Sequence, residues 1–233
     1  MLTGITRVRN EALILEDTLR HFLGICDRVI VYDDDSTDRT AEIAASFERV
    51  DLIRGDAWRA DRPAEETRHR ALLLSRVRTD WALCFDADER IDGPMPALTS
   101  DGFRFRLFDG YMAEGFDEPY RQGRLIDLPR LWGPERRDIL MLFKRGAAHY
   151  VGLDRREPRL AGPVALAETR VMHFGKCLSV EHWEETCNYY ATHWPDPYRS
   201  KWAGRRGRAI HERSDFGRPL VEWEQLRSVE TRL

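Results

Sequence analysis

Trp81-Ala82-Leu83-Cys84-Phe85-Asp86-Ala87-Asp88-Glu89 runs an apolar strand straight into an Asp-x-Asp pair. Carboxylates on either side of Ala87 can share one hard divalent cation once the chain has left the sheet. A second apolar stretch, Val29-Ile30-Val31-Tyr32, runs into Asp33-Asp34-Asp35-Ser36-Thr37-Asp38 in the same way. In open α/β sheets ligands sit beyond the carboxyl ends of the strands. Two acidic strand ends therefore predict one site built for a metal and a polar ligand.

The rest of the chain supports a parallel sheet around these strands. Leu2–Val8 reads as a first strand, and residues 11–23 place Ala12, Leu15, Leu19, Phe22 and Leu23 at helical spacing before Gly24. Ser36 is expected to cap a helix running to about Phe47, with Asp38 in its first turn. Val50–Ile53 is a short strand, and Asp61 and Pro63 open a helix to about Val77. The order β-α-β-α-β-α-β is that of a parallel sheet covered by helices. After Gly93-Pro94-Met95-Pro96 the rhythm breaks. Strands are expected at 103–107, 139–143 and 169–174, with Gly- and Pro-rich loops over 109–137. Ser179 caps a helix to about Thr192, and a weak helical signal follows around Leu220–Val229.

Composition excludes several classes. The 233 residues fit one large domain with an appendage, and 42% hydrophobic residues suffice for a core. No apolar run approaches the roughly 18–20 residues that span a bilayer. The first residues lack a basic segment followed by an apolar core and a cleavage site, so export by that route is not expected. Cys26, Cys84, Cys177 and Cys187 form no close metal-type pair, and reduced thiols are expected. The expected location is cytoplasmic, with peripheral contact to the inner face of a membrane allowed. A net charge of −3 gives no general attraction to polyanions, although Arg199, Lys201, Arg205, Arg206 and Arg208 gather in one basic stretch.

The motifs resemble those of the family-two glycosyltransferases of the GT-A fold. Ile5-Thr6-Arg7-Val8-Arg9-Asn10-Glu11 is similar to their first strand and Asn-Glu turn. Asp33–Thr40 is similar to their acidic Ser-Thr-Asp-x-Thr segment, and Asp86-Ala87-Asp88-Glu89 to their metal motif. One departure is Asp35, where the family often has glycine. In the second half, Leu142–Arg145, Arg156-Glu157-Pro158 and Val171–Gly175 resemble landmarks of a subgroup that glucosylates the inner core of lipopolysaccharide. That subgroup usually shows His-Glu where this chain has Arg156-Glu157.

The resemblance implies donor contacts from Arg7, Asn10, Glu11, Asp33, Asp34, Arg68 and Asp86. One of Asp33 and Asp34 would accept from the N–H of a uracil-like base; N-capping, the bland alternative, does not explain acids at the strand end itself. Asp88 would ligate Mg²⁺ or Mn²⁺ directly, and Asp86 would bind the ribose or reach the metal through water. The alternative for that pair is a solvated turn, but a turn needs one acid at most. Arg68 is preferred over Arg70 for the donor pyrophosphate, against a solvated helix face for both. The family's late histidine often completes the metal shell or touches the diphosphate, which points to His173; taken alone, a lone histidine is more often a surface or core residue. Sugar transfer with inversion needs a carboxylate to take the acceptor proton, for which Glu157 is first and Asp154 second. A salt-bridged loop acid is the alternative for Glu157.

The expected fold is thus a GT-A type α/β domain over 1–178, with a nucleotide and metal half at 1–92 and an acceptor half at 93–178. Residues 179–233 would form a helical extension. The expected activity is metal-dependent transfer of a hexose, glucose from UDP-glucose by preference, to a hydroxyl of a lipopolysaccharide or capsule saccharide. Two alternatives stay open: a hydroxymethylated base in DNA, tracked by residues 199–208, or a silent nucleotide-sugar-binding module. A sugar-phosphate nucleotidyltransferase would need a Gly-rich loop after the first strand, and Arg7-Val8-Arg9-Asn10-Glu11 has no glycine.

Overall fold

A computed structural model describes residues 1–56, 62–152 and 155–230. The strands in chain order are β1 (Leu2–Val8), β2 (Arg28–Asp33), β3 (Val50–Arg54), β4 (Trp81–Cys84), β5 (Glu89–Asp92), β6 (Gly102–Tyr111), β7 (Leu131–Lys144), β8 (Ala148–His149), β9 (Arg159–Leu160) and β10 (Val164–His173). The helices are α1 (Leu15–Leu23), α2 (Thr40–Ala45), α3 (Arg62–Arg76), α4 (Val180–His193), α5 (Tyr198–Ala203) and α6 (Trp223–Glu230). Eight strands form one mixed sheet in the order β3-β2-β1-β4-β7-β6-β10-β5, and β8 pairs with β9. The β1, β2, β3 and β4 pairings are parallel, whereas β7 joins β4 antiparallel. The α/β domain is as expected; its sheet, expected to be mostly parallel, is parallel across β3-β2-β1-β4 and turns antiparallel at β7.

The parallel strands carry near-continuous apolar runs because both of their faces are covered. In β2 every residue after Arg28 is buried. In α1, Leu15, Thr18, Leu19, Phe22 and Leu23 are buried, the i, i+3, i+4 stripe of a helix lying on a core. Phe22 stacks on Phe85 with centroids 3.5 Å apart. Gly4 sits in β1 because a Cβ there would come within 2.9 Å of the Phe85 ring.

The chain divides into two compact units. The first comprises residues 1–106 and 138–170, the second 107–137 and 171–233. The second has its own aromatic core, in which Trp132 meets Phe174 and Trp223 at centroid distances of 5.2 Å and 4.8 Å. Among the described residues no helix is long and apolar enough to cross a membrane, and all four cysteines are buried free thiols.

Several local expectations change. Residues 109–137 are not all loop, since β7 begins at Leu131. Its exposed stretch Arg136-Arg137-Asp138 hid the strand from a hydropathy reading. Ser36 does not cap α2, which starts at Thr40 with no side-chain cap. Its hydroxyl accepts instead from the Asn10 amide at 2.9 Å. Residues 198–203 form the unexpected α5, whereas Ser179 caps α4 as expected, accepting from the His182 amide.

Asp35, the departure from glycine, has φ +56°. Aspartate is among the few L-residues that enter the left-handed region routinely, so it can stand where glycine is usual. Asp35→Gly should therefore keep the melting temperature or raise it, while Asp35→Val should lose about 1–2 kcal/mol in a thermal or urea unfolding experiment.

Candidate active site

The loops after β1 and β2 are tied to each other. The Thr37 amide donates to the Asn10 side-chain oxygen at 2.8 Å, the Glu11 amide to the Thr40 hydroxyl at 2.8 Å, and the Ala12 amide to Asp38 at 3.0 Å. Asn10 has φ +54°, a left-handed turn that asparagine tolerates. These bonds turn two acidic loops into one surface at the carboxyl ends of the parallel strands.

The Asp86–Glu89 turn is held from below by arginine. Arg70 reaches Asp86 at 2.7 Å and Arg156 reaches the other Asp86 oxygen at 2.9 Å. Arg156 also meets both oxygens of the buried Glu89 at 2.6 Å, and Glu89 accepts from the Asp86 amide at 2.9 Å. The fully buried Arg90 donates to the Ala87 and Glu89 carbonyls at 2.9 Å and 2.6 Å and to Asp17 of α1 at 2.8 Å. Neither Arg90 nor Arg156 was singled out from the sequence as a clamp for the acidic turn. The available signal was Arg156 standing in place of histidine.

A second network lies beneath the β1 and β2 ends. Arg7 donates to Asp34 at 2.6 Å, to Glu66, and to the His69 ring at 3.2 Å. Glu66 also accepts from Arg70 at 2.6 Å, so the network joins the one beneath Asp86. Burial opposes the charge of Glu66, but Arg70 and Arg7 outweigh it and hold the carboxyl below its ordinary range. The His69 ring stacks on Tyr32 with centroids 4.0 Å apart. Burial, with Arg7 next, pushes its pKa down to about 4, so the ring is neutral near pH 7. His69 and Glu66 carry no motif signature, and only the packing of α3 reveals them.

The expected site residues fall out unevenly. Glu11, Asp86 and Asp88 come together. Burial, then Asp88, Asp86 and Asp38, push the Glu11 carboxyl well above its ordinary range. Asp33 and Asp34 are both buried at the end of β2, with Asp33 accepting from the Ser36 amide at 3.3 Å. On α3, Arg70 rather than Arg68 reaches the acidic turn; Arg68 is half exposed and pairs with Glu65 at 2.6 Å. Glu157 is ion-paired with Arg104 at 2.8 Å, immediately after the Arg156 clamp. Asp154 lies outside the described residues. His173 belongs to the second unit, where it meets Asp109 at 2.6 Å. Asp109 also takes Lys176 at 3.1 Å and Arg137 at 2.7 Å.

Whether these residues suit a divalent ion is a question of donor chemistry. Among the described residues no three His, Cys, Asp or Glu side chains converge as a complete metal cage. Ions such as Mg²⁺ do not need one, since one or two carboxylates plus substrate phosphates suffice. The mutual repulsion of Glu11, Asp88 and Asp86 is the environment such an ion relieves. The donor set fits.

Residues 5–94 match the family model described as Glycosyl transferase family 2. The match ends at the Gly93-Pro94 break and covers less than half of the chain. No curated protein matches. Among solved structures, S. aureus TarS 1–349 is 13% identical, with 86% of this chain and 68% of that one covered and a TM-score of 0.47. Its complex with UDP is 12% identical over 88% and 71%, also with a TM-score of 0.47. Glucosyl-3-phosphoglycerate synthase from Mycobacterium tuberculosis, in complex with phosphoglyceric acid, is 13% identical over 84% and 81%, with a TM-score of 0.39. These likenesses are too distant to transfer a substrate.

His69 has a consequence for pH dependence. Its folded pKa, about 4, lies below the ordinary 6.5, so protonation favours the unfolded chain. Its contribution is complete above about pH 6.5 and is lost as the pH falls toward 4. Unfolding free energies of the parent and His69→Gln, measured across that window, should diverge, the parent losing stability faster. Parallel curves would remove His69 as the titrating group.

Proposed function

We propose that this chain is a nucleotide-sugar-dependent glycosyltransferase, metal-assisted, that moves a hexose to an acceptor hydroxyl with inversion. The observation that carries the reading is the acidic turn Asp86-Ala87-Asp88-Glu89 at the end of β4, held by Arg70 and Arg156 at 2.7 Å and 2.9 Å from Asp86, within the stretch that matches a glycosyl transferase family. UDP-glucose is the preferred donor on the resemblance of the motifs, and the UDP bound to a neighbour agrees with that preference without adding weight.

In this reading Asp88 would hold Mg²⁺ or Mn²⁺, and Asp86 would bind the ribose or reach the ion through water. When bound, the ion supplies positive charge to the diphosphate as it departs. Asp33 and Asp34, buried at the end of β2, set the edge that meets the base. Arg70 and Arg156 hold Asp86 in place from beneath. Such preorganisation matters because a site that need not rearrange stabilises developing charge at little cost. Glu157 takes the proton of the attacking hydroxyl. Its support is position: it follows Arg156, whose guanidinium lies 2.9 Å from Asp86. The acceptor proposed is a saccharide of lipopolysaccharide or capsule. DNA is weaker, because Arg205 of the basic stretch is engaged with Asp215 at 2.7 Å and stacks on Trp202.

Asp88→Ala should abolish transfer from labelled UDP-glucose, and a chelator should do the same to the parent, reversed by Mn²⁺ or Mg²⁺. Full turnover in excess chelator would sink the metal assignment. A binding module would show neither transfer nor donor hydrolysis.

Glu157→Gln should retain donor binding, measured calorimetrically, and lose on the order of 10²–10⁴-fold in transfer rate. Near-parent turnover in this variant would move the base to another carboxylate, with Asp154 the next to be tested.

A further inference from the structure

The second unit carries a surface that the transfer reaction does not use. Residues 198–218 contain seven arginines and lysines against two acids, in a chain whose net charge is −3. Of the two acids, Asp215 is engaged with Lys176 at 2.6 Å and Arg205 at 2.7 Å, and from outside the stretch Glu184 accepts from the Gly207 amide at 2.7 Å. Arg206, Arg208, Arg213 and Arg218 are exposed.

Within this stretch, residues 213–219 form a tight loop. The Ser214 amide donates to the Arg218 carbonyl at 2.9 Å, the Gly217 amide to the Ser214 carbonyl at 2.9 Å, and Arg213 to the Gly217 carbonyl at 3.0 Å. Arg213 and Pro219 form a bridge across its base. The base is anchored: Ser214 is buried and meets Glu135 at 2.8 Å, and the Asp215 amide donates to the Tyr111 hydroxyl at 3.1 Å. At the tip stands Phe216, 70% exposed, and nearby in sequence is Ile210, 44% exposed. A rigid loop thus presents a phenyl ring to solvent between two arginines.

We propose that this loop, with Arg206 and Arg208, is a docking surface for an anionic phospholipid bilayer. Cations flanking apolar side chains are the composition of peripheral membrane anchors: the charges are drawn to the anionic surface and the rings enter the acyl boundary. A nucleic-acid duplex met through its phosphate backbone would use the arginines alone; the Phe216 ring could stack on an unpaired base, but Ile210 has no such partner. Charge and apolar tips together favour the bilayer. The surface is independent of the transfer chemistry, and its test needs no sugar donor.

The test is flotation of the full chain with vesicles of phosphatidylglycerol and phosphatidylcholine, against phosphatidylcholine alone. Binding is expected to the anionic vesicles only and to weaken in high salt. Phe216→Ser should weaken it about tenfold, and each of Arg206→Gln and Arg208→Gln about fivefold. The melting temperature of Phe216→Ser should stay close to the parent's, since the ring is largely exposed. Absence of partitioning to anionic vesicles would overturn the proposal. So would undiminished binding of Phe216→Ser, or duplex DNA binding that displaces the protein from vesicles and ignores Phe216.

Discussion

Carboxylates crowd the carboxyl ends of β1 and β4, and a fold can keep them there only if buried cations hold the turn that carries them. Arg70, Arg90 and Arg156 do this from three different elements. Arg90 grips the backbone of the turn, and Arg70 and Arg156 hold the side chains of Asp86 and Glu89. The pairs are unequally buried: Arg70 and Arg90 are buried, while Asp86 and Arg156 keep partial contact with solvent.

The arrangement separates two kinds of carboxylate. Glu66 and Glu89 are matched by guanidiniums and serve the fold. Glu11, by contrast, feels Asp88 and Asp86 more than it feels Arg90, and its carboxyl is pushed up. An excess of negative charge at a strand end is unfavourable to folding. In the second unit the balance is the reverse. Asp109 gathers His173, Lys176 and Arg137, and although burial opposes its charge, these cations hold it far below the ordinary carboxylate range.

Arginine at position 156 ties its loop to the acidic turn. Its guanidinium spans Asp86 and Glu89 with separate N–H groups and keeps its charge at any physiological pH. Glu157 follows as the next residue. Arg68 and Arg70 show how little two residues along a helix need to differ in composition to differ in role. Arg70 is buried and reaches Cys84, Glu66 and Asp86, while Arg68 lies over solvent beside Glu65.

The sequence by itself determined the strands β1 to β4, the helices between them and the acidic strand ends, because apolar runs and helical spacing are local signals that tertiary packing reinforced. It also exposed the Asp35 departure, whose left-handed backbone explains the residue choice. It could not show that Ser36 and Asp38 tie two loops together, Asp38 while also accepting from the Thr40 amide at the start of α2, since the partners Asn10 and Ala12 are 26 residues away in each case. Nor could it show His69 neutral beneath Tyr32, Arg205 turned inward on Asp215, or Phe216 held outward on an anchored loop. Those features depend on which charged and polar groups meet across long separations. Only the tertiary structure decides that, because burial sets the strength of each encounter.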